Sequence, residues 1–332
     1  MSMTTSAKTP EAIPRLPSAQ PLVSVIIPAY KVARFITATL DSVLSQTFSD
    51  YEIIVINDGS PDTEELEQEL APYSHLITYI TQSNQGAGAA RNAGILAAQG
   101  EFVAFLDGDD LWLPEFLQQQ IDLITAGNGS DLVYADAINL HDGKLCRITN
   151  MEVNPSRGLV SAEALIAAEC CVITSSVVAR RSLILEVGLF DENFPNSQDF
   201  DLWLRLAKHG ARISYQKKVL IHRRIYEGSL ASNPLNSFAG EISVLEKTQQ
   251  RNDLTEGERA AILRTLERRS ATVEVFRGKE QLLAGEFDSA LTAFRTANDY
   301  FRSWKLQLVL IWLRTAPRLL RRVYRLRSRV GG

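Results

Sequence analysis

From residue 22 onward the chain alternates short apolar runs with longer stretches in which apolar positions recur every three or four residues. The short runs suit strands buried on both faces, and the longer stretches suit amphipathic helices. The pattern predicts strands over 23–27, 52–56, 77–80, 102–106 and 132–135, and helices over 33–45, 63–71, 88–98 and 114–125. Alternation of this kind argues a mostly parallel sheet with helices on both faces, since a right-handed crossover between parallel strands needs a helix. Past residue 138 the pattern loosens, with 171–178 and 212–221 strand-like and 161–168 and 198–209 helical. From Ser237 onward only helical signals remain, and the turn pair Asn233-Pro234 marks a boundary before them.

The helical part divides again. Residues 278–300 place Gly285, Ala290, Phe294 and Ala297 as in one tetratricopeptide helix pair. A lone pair cannot bury its own face. It therefore reads either as a hairpin packed on the preceding domain or as a surface for a protein partner. The segment 301–332 joins an apolar run, 306–313, through Pro317 to an arginine-rich amphipathic helix. The apolar run is far shorter than the roughly 20 residues that span a bilayer. Trp304, Trp312 and Tyr324 among arginines fit a helix lying in a membrane interface, with docking onto the protein itself as the alternative.

Charge sharpens this picture. The net charge is only −4, yet nine Lys or Arg and no acid follow Asp299, so the chain before that point carries −13. A basic tail on an acidic body suggests an anionic surface as partner, most naturally a membrane and not a nucleic acid. Residues 1–20, rich in Ser, Thr, Ala and Pro without an apolar run, read as a disordered leader and not a signal peptide. Cys146, Cys170 and Cys171 form no even disulfide framework, which suits a reducing cytoplasm.

The candidate chemistry lies at the ends of the predicted strands, where ligands collect in open α/β sheets. The strand over 102–106 runs into Asp107-Gly108-Asp109-Asp110, and two carboxylates at a strand end read either as a cation site or as a solvated acidic turn. The first strand stops at Pro28-Ala29-Tyr30, where proline ends the ladder and leaves backbone groups open for a ligand. The second stops at Asn57-Asp58-Gly59-Ser60, where Asp58 suits a base edge or ribose, or equally its own backbone. Next along the chain, Gly86-Ala87-Gly88-Ala89-Ala90-Arg91 opens a helix whose small residues allow close approach and whose N-terminus favours anions. No Gly-Lys-Ser/Thr follows, and Arg91 stands where the third glycine of a dinucleotide fingerprint belongs.

Together, Val-Ser-Val-Ile-Ile-Pro-Ala-Tyr, Glu-Ile-Ile-Val-Ile-Asn-Asp-Gly-Ser, Asn-Gln-Gly-Ala-Gly-Ala-Ala-Arg-Asn-Ala-Gly and Phe-Leu-Asp-Gly-Asp-Asp-Leu-Trp resemble the family 2 glycosyltransferases, in order and spacing, over about 22–230. The resemblance implies an α/β, Rossmann-like GT-A domain over 21–233, with a nucleotide-sugar half to about 138 and an acceptor half beyond it. It implies a nucleoside-diphosphate sugar, most commonly a uridine one, as donor, Mg²⁺ or Mn²⁺ as cofactor, and inversion at the anomeric carbon. By the same carry-over Pro28, Ala29 and Tyr30 border the nucleotide, Asp58 contacts the base, Arg91 helps hold the nucleotide, Asp107 faces the ribose and Asp109 binds the metal.

The resemblance also implies an acidic base on the acceptor side. Gln198-Asp199 stands where relatives carry Glu-Asp, so Asp199 holds the base position. Ser197 is its predicted N-cap, which would put Asp199 in the first turn at the helix's positive end. The bland alternative is that Asp199 only stabilises that helix end. Relatives carry Arg-x-His-x-Gly-Ser after the last strand, whereas this chain has Arg224-Ile225-Tyr226-Glu227-Gly228-Ser229, with Tyr226 at the histidine position. Trp203, Arg224 and Tyr226 are the expected acceptor or diphosphate contacts. The implied acceptor is a glycan or lipid-linked hydroxyl, in the cytoplasm or on the inner membrane face. Two other readings are a non-catalytic nucleotide-sugar or partner-binding protein and a sugar nucleotidyltransferase. The latter needs a Gly-rich loop with a basic residue right after the first strand, which Pro28-Ala29-Tyr30-Lys31 is not.

Overall fold

The computed structural model describes residues 20–330 except 128, 142, 227 and 230–233. The expected leader at 1–19, and Asn233 at the expected boundary, lie outside the described residues. The first half builds strands β1 (Val23–Ala29), β2 (Tyr51–Asp58), β3 (Ile77–Gln82) and β4 (Phe102–Phe105) with helices α1 (Ala33–Leu44), α2 (Thr63–Leu70) and α3 (Ala87–Ala97) between them. These strands pair parallel in the order β3-β2-β1-β4. The Val and Ile side chains of β1, β2 and β4 are buried on both faces, which is why those strands read as apolar runs, while β3 at the edge is only partly buried.

Beyond β4 come the short β5 (Leu111–Trp112), α4 (Phe116–Thr125), β6 (Leu132–His141), β7 (Lys144–Thr149), α5 (Asn150–Val153) and α6 (Ala162–Ile166). They are followed by β8 (Val178–Arg180), α7 (Arg181–Glu186), α8 (Gln198–Lys208) and β9 (Ile213–Ile225). Among the described residues these complete one mixed sheet in the order β3-β2-β1-β4-β8-β6-β9-β5, with β7 paired to β6. Parallel pairing therefore holds from β3 to β4 and returns only between β6 and β9, while β8, β5 and β7 pair antiparallel. The strand predicted over 171–178 is corrected: Thr174–Ser176 form a tight 3₁₀ turn, and the strand lies one step later at Val178–Arg180. Consecutive hydroxyl side chains at 174–176 bond across the loop instead of filling a pleat.

The rest is helical: α9 (Pro234–Gln249), α10 (Glu256–Ala284), α11 (Phe287–Phe301), α12 (Trp304–Thr315) and α13 (Pro317–Val330). Thr255 caps α10 reciprocally with Glu258, and Gly285, at φ 97°, ends it in the left-handed region. Phe294 of α11 packs within reach of Gly278, where any Cβ would stand 3.0 Å from its ring. α10 is fastened to the sheet domain by Lys208–Glu258 at 2.9 Å and by Arg268 donating to the carbonyl of Ala167 at 3.0 Å, and to α9 by Arg269–Glu241 at 2.6 Å. The predicted single tail helix is two helices, because Pro317 opens a new one instead of continuing the old.

Candidate active site

The carboxyl ends of β1, β2 and β4 fall on one rim, set by the pairs Ala29↔Asn57 and Ile26↔Phe105. The chain leaves β4 through Leu106 into the acidic turn. Gly108 is needed there for close approach: a Cβ would come within 2.9 Å of the carbonyl oxygen of Pro28. Thr39 of α1 donates to the carbonyl oxygens of Gly108 and Asp110, both at 3.0 Å, and so pins the turn from beneath.

The three acids of this turn do different things. Asp107 accepts a 2.6 Å ion pair from Arg91 of α3 and remains partly open to solvent. Asp109 accepts from the Tyr226 hydroxyl at 3.0 Å, and its carbonyl oxygen accepts from Arg224 at 2.7 Å. Burial, and then the charge of Asp107, push its carboxyl up from the ordinary range, while Tyr226 and Arg224 oppose this. Asp110 is wholly interior: Ser175 donates to one oxygen at 2.6 Å and the backbone N–H of Arg224 to the other at 2.9 Å. Burial, and then Asp109 and Asp107, push it up further. Asp110 therefore ties the turn to β9 and to the 174–176 loop, a role its spacing alone does not announce.

Two carboxyls destabilised by burial and by one another present a site short of positive charge, which a divalent cation would supply. Among the described residues no three His, Cys, Asp or Glu side chains converge as a closed metal cage. The set offered by Asp109 and its neighbour Asp107 leaves positions for ligand oxygens and water, as Mg²⁺ or Mn²⁺ bound together with a phosphate requires. The residues present thus fit such an ion.

Around this turn lies a cleft of about 660 Å³, lined by Pro28, Ala29, Tyr30, Asp58, Arg91, Asp107, Asp109, Arg224 and Tyr226 among others. It gathers every sequence-predicted donor residue. Asp58 is only 3 % exposed, however, and its carboxylate is already occupied. It accepts from Gln82 and from the backbone N–H groups of Gln85 and Gly86, and so shapes the loop that opens α3. Gly86 sits at φ 91° there, a conformation that glycine adopts without strain. Tyr226 packs its ring on Phe35 at 4.8 Å with the Arg34 guanidinium above it, which fixes the hydroxyl on Asp109.

A second cavity, of about 520 Å³, adjoins the first and holds Asp199. Asp199 lies in the first turn of α8, with Thr174 donating to one oxygen at 2.7 Å and the N–H of Phe200 to the other at 2.8 Å. Ser197 does stand at the N-cap position, as predicted, but it adopts a left-handed conformation, makes no side-chain cap bond and donates to the carbonyl oxygen of Ser237 of α9 instead. Trp203 is 1 % exposed and packs against Phe105 and Phe190, so it is a core residue whose indole Nε1 reaches the cavity wall without a hydrogen-bond partner. The far wall comes from α9 and α10 through Phe238, Glu241 and Arg269. Sequence reasoning misses these three, together with Thr174, Ser175 and Arg223. Only the polar run 174–176 inside an apolar stretch hinted at any of them.

Comparison with known proteins follows the same outline. A family model described as glycosyl transferase family 2 matches residues 24–156. The chain is similar to an uncharacterized glycosyltransferase of Rickettsia felis, 31% identical over 68% of this chain and 37% of that protein. It is also similar to the amylovoran biosynthesis glycosyltransferase AmsB of Erwinia amylovora, 33% identical over 56% of this chain and 64% of that one. The chain spans little more than a third of the length of the Rickettsia felis relative. Among solved structures, S. aureus TarS 1-349 in complex with UDP-GlcNAc superposes with a TM-score of 0.60 at 19% identity, over 93% of this chain and 92% of that one. Mannosyltransferase PcManGT from Pyrobaculum calidifontis, in complex with GDP-Man and Mn2+, superposes with a TM-score of 0.60 at 16% identity, over 96% and 88%. At these identities the likeness is one of fold.

Proposed function

We propose that this chain, whose residues 24–156 match the glycosyl transferase family 2 model and whose fold is GT-A, is a family 2 glycosyltransferase that moves a sugar from a nucleoside-diphosphate sugar to an acceptor hydroxyl with inversion. The observation that carries the reading is the meeting of two cavities. The cleft with Asp107 and Asp109 and the cavity with Asp199 share Ala87, Arg91, Asp107, Pro195 and Arg223. A donor in the first and an acceptor in the second would touch at that shared wall.

Asp199 takes the acceptor's proton as general base. Thr174 and the N–H of Phe200 hold its two oxygens in place, so the carboxylate is oriented before the acceptor arrives. Tyr30 and the Arg91–Asp107 pair border the nucleotide and ribose. A divalent ion, Mg²⁺ or Mn²⁺, held by Asp109 and diphosphate oxygens, would neutralise charge on the leaving group. Attack from the Asp199 side, opposite the diphosphate, gives inversion.

Uridine is the proposed nucleotide, a reading supported by the UDP-GlcNAc complex of the TarS neighbour. A cell-surface glycan or glycolipid is the proposed product, supported by the name of the amylovoran enzyme. Among the described residues no helix is long and apolar enough to cross a membrane. Attachment to the inner membrane face is proposed through α12 and α13, where Trp304, Leu308, Ile311 and Trp312 on one helix and Leu319, Val323 and Leu326 on the other are exposed. Arg318 and Arg322 stand exposed beside the second stripe. Thermal shift against a panel of UDP-, GDP- and dTDP-sugars with Mn²⁺ tests the donor reading. One nucleotide series raises the unfolding temperature if it is right, and none does if it is wrong.

A further inference from the structure

Where the two cavities meet, two arginines line both: Arg91 and Arg223. Arg91 is committed, at 2.6 Å, to Asp107. The Arg223 side chain makes no hydrogen bond and no close ion pair among the described residues, and its charge reaches Asp110 and Cys171 only at longer range. It stands half-buried on β9, and alternation along the strand turns it away from its neighbour Arg224. Arg224 is itself occupied: its side chain donates to the carbonyl oxygen of Asp109, its backbone N–H donates to Asp110, and its guanidinium lies 5.0 Å from the centre of the Phe35 ring. Of this Arg-Arg pair, the sequence pattern points to Arg224, while the geometry leaves Arg223 as the uncommitted cation at the junction.

A half-buried guanidinium whose N–H groups meet no acceptor among the described residues is costly unless an anion completes it. The junction is also where negative charge appears in the proposed reaction. The bond between the anomeric carbon and the phosphate oxygen breaks, its electron pair passes to that oxygen, the acceptor oxygen forms the new bond, and the acceptor proton goes to Asp199. Resting on the donor reading above, we infer that Arg223 contacts the phosphate that carries the sugar and holds its charge as it departs, remaining protonated throughout. A fixed donor aimed at developing charge acts most strongly on the transition state.

Titration calorimetry in Mn²⁺ with UDP against UMP, repeated with GDP/GMP and dTDP/dTMP, isolates the second phosphate. The wild-type chain is expected to prefer the diphosphate of its own nucleotide. In Arg223→Met that preference falls about tenfold or more, as loss of a charge-assisted contact predicts, while monophosphate affinity stays within about twofold. Should Arg223→Met lose monophosphate binding as well, Arg223→Gln supplies the comparison, with the same fall expected. A variant that binds the monophosphate normally and keeps the full diphosphate preference overturns the inference and leaves the donor reading standing. A wild-type chain that binds none of the three diphosphates overturns the donor reading and the inference with it.

Discussion

The Tyr226 hydroxyl donates to Asp109 Oδ2 at 3.0 Å, joining the end of β9 to the acidic turn after β4. Relatives described by the Arg-x-His-x-Gly-Ser pattern carry an imidazole at this position, where this chain carries a phenol. The phenol cannot donate a nitrogen lone pair, but it can restrain the carboxylate beside it. Tyr226→Phe is expected to raise the half-saturating Mn²⁺ concentration about tenfold, as loss of a partner that orients a metal-binding carboxylate does. Metal titration of donor binding measures this, and an unchanged Mn²⁺ requirement would separate Tyr226 from the metal.

Lys247 of α9 donates to Asp191 at 2.6 Å and to Asp201 of α8 at 3.1 Å, clasping the helix that carries Asp199. The hydrogen bond from Lys247 is the main cause holding the Asp191 carboxyl down to about 2 from an ordinary 3.8. A carboxyl depressed in the folded chain contributes stability in full above its unfolded value and loses it as pH falls through about 2. Lys247 is half exposed, so Lys247→Met is expected to cost only about 1 kcal/mol at neutral pH. That deficit should shrink as pH is lowered below about 4. Thermal unfolding of both proteins from pH 7 to 3 checks the trend, and a deficit that grows toward acid would contradict it.

Glu241 and Arg269 form a 2.6 Å pair in the wall of the cavity that holds Asp199. Burial is the chief cause pushing the Glu241 carboxyl up, with Arg269 opposing it. Arg269→Met leaves that carboxyl without its cation and is expected to cost about 3 kcal/mol of stability. It should also raise the acceptor KM while sparing nucleotide binding. Equal loss of nucleotide binding would mean that α10 only supports the fold.

The first half of the sheet is legible in the sequence because its strands are buried on both faces, so Val23 to Ala29 and Tyr51 to Asp58 leave no polar alternation to confuse strand with helix. Legibility fails where one face is wet or a partner is distant. The run 132–135 continues to His141 and turns back as Lys144–Thr149, a hairpin whose exposed positions mix Leu145 and Ile148 with Lys144 and Arg147 and so carry no clean alternation. Thr174 and Ser175 lie in an apolar stretch, yet they serve Asp199 and Asp110, acids 25 and 65 residues away in sequence. Arg223 and Arg224 are adjacent letters, and only the pleat of β9 separates the one at the cavity wall from the one that braces the turn.

The tail gives a prediction of its own. α12 and α13 bury Leu313 and Leu320 against Leu282 and Phe294, while Trp304, Ile311, Leu319 and Val323 stay exposed on the same two helices. The protein is expected to sediment with vesicles containing phosphatidylglycerol and not with pure phosphatidylcholine, and to be released by salt. Replacing Trp304 and Ile311 by Ser should lower the bound fraction about tenfold. Sedimentation that ignores both lipid charge and these side chains would remove the membrane from the account.

The central claim is that Asp199 accepts the proton of the attacking hydroxyl at the meeting of the two cavities. Asp199→Asn keeps the shape, and its amide oxygen can still accept from the Phe200 N–H while its NH₂ donates to the Thr174 hydroxyl, but it lacks the basic carboxylate. Paired measurements of sugar transfer and of nucleotide affinity in this variant test the claim most directly. Transfer should fall about a thousandfold or more while nucleotide affinity stays within about twofold. Transfer at the wild-type rate, or nucleotide binding lost along with it, would contradict the claim.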